Sequence, residues 1–143
     1  MNTKREILVD VISALFVVLF IYAAATKLLD YKTFRVQIGQ SPLLTAFAGV
    51  IAWLVPAVEI MVAVLLSLLR FRLIGLYASF CLMVMFSAYI VVITRFSEYV
   101  PCSCGGVLEK MSWNEHLIFN LIFVALGFLS ILVYPKEETP QSV

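Results

Sequence analysis

Four separate stretches of this chain are each long and apolar enough to cross a bilayer, which takes about 20 mainly apolar residues in a helix. They run over about residues 7–29, 42–69, 73–94 and 113–134. The first carries Asp10 near its start and Lys27 near its end. The second carries a lone charge, Glu59. The third carries none, and the fourth is uncharged from Leu117 onward. Four spans use most of the 143 residues, leaving short loops and no separate soluble domain. Composition agrees. The chain is 63% hydrophobic and 13% charged, against roughly 45–50% and about 25% in a typical soluble domain. A soluble fold of this size could not hide so much apolar surface. Disorder needs low hydrophobicity and high net charge. The formal net charge of +1 gives no basic footprint for nucleic acid. The expected fold is an all-α, integral membrane four-helix bundle forming one transmembrane domain, with the lipid bilayer as its first partner.

Local signals mark the span ends. Ser41-Pro42 offers an N-cap hydroxyl before a proline at the first helical position. Ser112-Trp113-Asn114-Glu115 has the capping-box pattern, and Pro135 is a stop for the fourth helix. Tyr31, Trp113 and Tyr134 fall near span ends, where amphipathic rings favour the interface. Lys4, Arg5 and Ala23-Ala24-Ala25 invite a signal-peptide reading, but the apolar stretch between them is at or beyond the usual upper limit for one. It is read as a retained span. Lysine and arginine divide equally between the two sides. Lys4-Arg5 directly before the first span and the short basic loop Arg70-Phe71-Arg72 favour both termini inside. In a bacterial inner membrane, this sets residues 30–40 and 95–111 on the periplasmic side as loops.

Pro101-Cys102-Ser103-Cys104-Gly105-Gly106 is the segment richest in chemistry, and it lies in the longest polar loop. Three readings compete. A bridge between Cys102 and Cys104 closes too small a ring to remove much entropy from the unfolded chain, and a tight ring strains the disulfide, so a structural staple is poorly placed. Strained, exposed disulfides are the labile, exchanging ones, and Gly105-Gly106 clears bulk beside the sulfurs. This favours redox exchange. A metal site would have to draw on Cys102, Cys104 and His116 with Glu109 or Glu115, a short set at the wrong spacing for zinc. Arg95, Lys110 and His116 are the cations that could lower a thiol pKa if near. Cys81, deep in the third span, reads as a small buried apolar residue.

Polar residues within the spans form a second candidate site. Glu59 follows Pro56 by three residues. A carboxylate in hydrocarbon faces the bundle interior, pairs, or becomes neutral. Pro56 frees a backbone carbonyl one turn earlier. Lys27 can snorkel to the headgroups or turn inward toward Glu59 or a ligand. Asn120, about two turns into the fourth span, fits interhelical glue. Tyr22, Tyr77, Ser87 and Tyr89 read as packing or hydrogen-bonding groups, and Met61, Met83 and Met85 as lipid-facing or core side chains.

Taken in order, Ala24-Ala25-Thr26-Lys27-Leu28 with Phe34, then Pro56-Ala57-Val58-Glu59, then the cysteine–glycine segment followed by Met111-Ser112-Trp113 and Asn120, resemble the DoxX-like membrane proteins, and more specifically the MauE branch. The resemblance covers nearly the whole chain. It implies a four-helix bundle of the bacterial inner membrane and periplasmic thiol–disulfide chemistry beside a thioredoxin-like partner. Through wider DoxX relatives it implies a quinone as electron acceptor, with Lys27, Glu59 and Asn120 as its candidate contacts in the bundle interior. Similar quinone-linked disulfide-bond oxidases relay electrons through two cysteine pairs. This chain has one loop pair and the remote Cys81, so a partner supplying the second pair is favoured over direct transfer to quinone.

The reading is therefore a thiol–disulfide oxidoreductase working through Cys102 and Cys104. Against it stands a non-catalytic membrane subunit that assembles or anchors a redox or secretion component. Weaker is a small proton-coupled transporter with Glu59 as carrier. Oligomeric state is not legible from the residues.

Overall fold

The structure is a computed structural model that describes residues 3–40, 45–96 and 113–135. Among the described residues there is no strand, and five α-helices account for nearly everything: α1 (Thr3–Leu29), α2 (Tyr31–Gln40), α3 (Ala48–Ser67), α4 (Arg72–Phe96) and α5 (Trp113–Leu132). Short 3-10 turns, Thr45–Phe47 and Leu69–Phe71, lead into α3 and α4. Helices α1, α3, α4 and α5 are long and apolar enough to cross a membrane. The chain is an all-α membrane helical bundle.

Each long helix buries one stripe and leaves the rest of its circumference apolar and outward. On α1 the buried stripe is Val9, Ile12, Ser13, Phe16, Phe20 and Ala24, the three- and four-residue spacing of one helical face. Its other faces expose Ile7, Val11, Val18 and Ile21. Meanwhile Ser79, Ser87 and Ser130 are buried. Such a pattern suits a bundle whose outer solvent is hydrocarbon, where small and polar residues gather between helices. Three of the buried hydroxyls are satisfied within their own helices: Ser79 Oγ donates to Gly75 O at 2.7 Å, Ser87 Oγ to Met83 O at 2.7 Å and Ser130 Oγ to Gly127 O at 2.8 Å, whereas Ser13 Oγ has no hydrogen-bond partner among the described residues. Met83 is a core residue, whereas Met61 and Met85 face outward.

Helix α1 packs along α3, α5 along α4, and α3 against α4, while α1 meets α5 to close the bundle. Phe16 carries that closure, edge-on to Phe123 with centroids 5.3 Å apart. Two cross-links fix α1 and α4 as parallel. Near one end Arg72 donates to Asp10 Oδ1, and its Nε also donates to Leu66 O at 3.3 Å, so one guanidinium ties α1, α3 and α4. Toward the other end Lys27 of α1 reaches the ring of Phe86 on α4.

The structure departs from the sequence reading in several places. Of residues 30–40, expected as loop, Tyr31–Gln40 form α2. Tyr31, Phe34 and Ile38 fall at helical spacing, with no proline and no glycine before Gly39. The helix meant to fill the second span is α3, which opens at Ala48 rather than Pro42. It runs unbroken through Pro56, which is buried. Helix α5 stops at Leu132, short of the expected Tyr134. Cys81 is exposed on the outer face of α4 rather than buried. The Ser41-Pro42 cap, Ser112 of the capping box and the tail from Lys136 lie outside the described residues, as does the side chain of Trp113.

The α3–α4 contact depends on a glycine. A Cβ on Gly75 would stand 2.9 Å from the backbone nitrogen of Leu66, and overpacking of this kind costs about 1–3 kcal/mol. Gly75→Ala is expected to lower the thermal unfolding midpoint in detergent. Gly39→Ala, whose nearest neighbour would be 3.8 Å away, is expected to leave it at or above the wild-type value.

Candidate functional site

Lys27 sits in the last turn of α1, where the helix dipole favours a cation. Glu59 lies on the buried stripe of α3, one turn after Pro56. The side chains meet: Lys27 Nζ donates to Glu59 Oε1 at 2.6 Å, with 13% and 1% of the side chains exposed. Of the two orientations open to Lys27, the structure shows the inward one.

The pair is enclosed by aromatic rings. Lys27 Nζ lies 5.8 Å from the centroid of Phe34 on α2 and 5.6 Å from that of Phe86 on α4. A cation over a ring face gains about 0.5–1 kcal/mol when exposed and about 2 when desolvated. His116, in the first turns of α5 and half-buried, is close enough to Lys27 for their charges to interact. Asn120 follows one turn later on the same face of α5 and is 3% exposed. Helices α1, α2, α3 and α4 thus all touch one ammonium group, and α5 approaches it through His116.

The hydrogen-bond accounting at this centre is incomplete. Glu59 Oε2 and Asn120 Nδ2 are buried with no hydrogen-bond partner among the described residues. One is an acceptor and the other a donor. Buried polar groups are ordinarily paired, and unpaired ones in a membrane bundle mark a place where function competes with stability. Phe86 was not singled out by the sequence. Its signal was its place beside the buried Met83 and Ser87 on α4.

Cys102, Cys104, Gly105, Gly106, Glu109 and Lys110 lie outside the described residues. What is described is the attachment of their segment: it leaves α4 after Phe96 and rejoins α5 at Trp113. With α1 and α4 parallel, this is the same end of the bundle as Lys27. Among the described residues, no group of three or more His, Cys, Asp and Glu could hold a metal.

Removing one partner of a buried ion pair strands the other charge and costs about 3–5 kcal/mol. Lys27→Met and Glu59→Leu alone are each expected to destabilise the detergent-solubilised protein by about that much. The double variant is expected to recover most of the loss in a double-mutant cycle on thermal unfolding.

Searches of curated proteins and of solved structures each gave no match. A family model, that of the methylamine utilisation protein MauE, matches residues 5–133. The match runs from the start of α1 to the end of α5, through Lys27, Glu59, Cys102, Cys104 and Asn120, and on this ground the chain belongs to the MauE family.

Proposed function

We propose that this protein is a thiol–disulfide redox component of the bacterial inner membrane, with both termini cytoplasmic, that serves methylamine utilisation by exchanging disulfides with a thioredoxin-like periplasmic partner. Cys102 and Cys104 form the exchanging pair. A thiolate of the pair attacks a sulfur of the partner's disulfide, making a mixed disulfide and releasing the partner's other thiolate. The second cysteine then attacks its neighbour's sulfur. The Cys102–Cys104 disulfide forms, the partner leaves as a dithiol, and two electrons have moved. The reverse sequence reduces the pair. The observation that carries the reading is the shared location of the attachment points of the cysteine segment, at Phe96 and Trp113, and of the buried Lys27–Glu59 centre, all toward one end of the bundle.

One pair makes one exchange, so a continuous cycle needs a further acceptor. A second cysteine pair on the partner serves this purpose. A quinone also fits the chemistry of the interior: Asn120 Nδ2 is a buried donor with no partner among the described residues and Lys27 Nζ a second donor, the groups that hold a carbonyl oxygen. A quinone bound there would take up two electrons and two protons. Membership of the wider DoxX-like group, which the order of motifs suggests, points the same way.

Two measurements test the reading. Cys102→Ser and Cys104→Ser are expected to trap a mixed disulfide with a periplasmic protein in cells. Impermeant thiol reagents are expected to label the reduced pair from the periplasm and not after oxidation. Labelling only from the cytoplasm, or no trapped partner together with a wild-type pair that never changes redox state, overturns it. Full activity of the double cysteine variant would instead identify a non-catalytic assembly or anchoring subunit, and a pH-dependent flux lost in Glu59→Gln would identify a transporter.

A further inference from the structure

Helix α2 spans Tyr31–Gln40 and is too short to cross a bilayer. It is joined to α1 through Asp30 alone and packs on α3. Phe34 is buried against Ala52, the Tyr31 ring lies 5.4 Å from that of Trp53, and Gly39 abuts Ala48. Chain direction is thus opposed to α3 along the first turns of that helix. Tyr31 and the 62%-exposed Trp53 form an aromatic pair of the kind found at headgroup depth.

One exposed flank of α2 is basic. Lys32 and Arg35, three residues apart and so on one side of the helix, are both exposed. Neither makes an ion pair or hydrogen bond among the described residues, and Asp30, the nearest acid in sequence, pairs with neither. Arg35 is not free to sweep widely: its Nη2 sits 3.4 Å from where a Gly49 Cβ would be, so its guanidinium rests on the bare backbone of α3. Val36, 58% exposed, adds apolar surface on the same short helix. Lys27, which could have faced the headgroups, is instead committed to Glu59. Lys32 and Arg35 are left as the cations that α2 offers to the membrane surface.

We propose that α2 is an interfacial helix whose Lys32 and Arg35 together bind the phosphate of an anionic phospholipid. A basic pair beside interface aromatics, with an apolar side chain on the same helix, complements a headgroup that carries both negative charge and acyl chains. Zwitterionic headgroups offer no net charge to the pair, and inorganic phosphate has no use for the apolar surface.

The test is native mass spectrometry of the full detergent-solubilised chain, titrated with phosphatidylglycerol or phosphatidylcholine. The wild type is expected to retain phosphatidylglycerol preferentially. Lys32→Gln and Arg35→Gln are each expected to weaken that preference roughly fivefold, and Lys32→Arg to keep it. Arg70→Gln, at the opposite end of the bundle, controls for general loss of charge. Cooperative thermal unfolding of each variant shows that it is folded, as expected for exposed, unpaired side chains. A loss in the α2 variants no greater than in Arg70→Gln overturns the proposal. So does full displacement of phosphatidylglycerol by inorganic phosphate.

Discussion

A carboxylate in the middle of a lipid-embedded bundle dictates much of what surrounds it. Glu59 cannot be hydrated there, and leaving it bare in a low-dielectric interior costs several kcal/mol. Its neutralising partner comes from a different helix, which fixes the rotation and height of α1 against α3. The partner's ammonium then needs its own surroundings, and Phe34 and Phe86 supply polarisable faces rather than further charges. One pair of opposite charges thereby specifies where two spanning helices and the short α2 must lie. A net ion pair of this kind is weak as a source of stability and strong as a source of register.

The two ends of the bundle are built on different principles. At one end a short turn joins α3 to α4, and Arg72 bonds both to the end of α3 and to Asp10 of α1. Asp10 is largely exposed there, so the contact is cheap to make and contributes little energy. Close backbone approach does more, because Gly75 lets α4 lie directly against Leu66. At the other end the helices are held by a desolvated charge pair and ring faces, beside two buried polar atoms that have no partner among the described residues. The close backbone approach lies at the Gly75 end, and the buried charge pair lies at the end where the cysteine segment is attached.

Fold class was legible because it rests on run length and composition, which survive any error in helix ends. The number of spanning helices followed from four uncharged or nearly uncharged runs. Their ends did not, since Pro42 is a good start signal whether or not a helix begins there. Helix α2 was missed because ten residues with five polar side chains, two of them charged, look like a loop until a neighbour buries Phe34. Of the interior site, Glu59 was conspicuous as a lone charge and Lys27 as a charge with two uses. Which use it takes depends on the distance between α1 and α3, and no local pattern carries that. Phe86 is one phenylalanine among eleven, and only the fold tells it apart.

The end points of α4 and α5 also set a radius of action. Sixteen residues connect Phe96 to Trp113, and Cys102 is the sixth of them. Six residues extend at most to about 20 Å. Contour length alone therefore keeps Cys102 within that distance of the α4 terminus. The opposite end of the bundle, where Arg72 meets Asp10, is roughly 36 Å away along α4, beyond that limit. Whatever meets Cys102 has to come to the end of the bundle that holds Lys27 and Glu59.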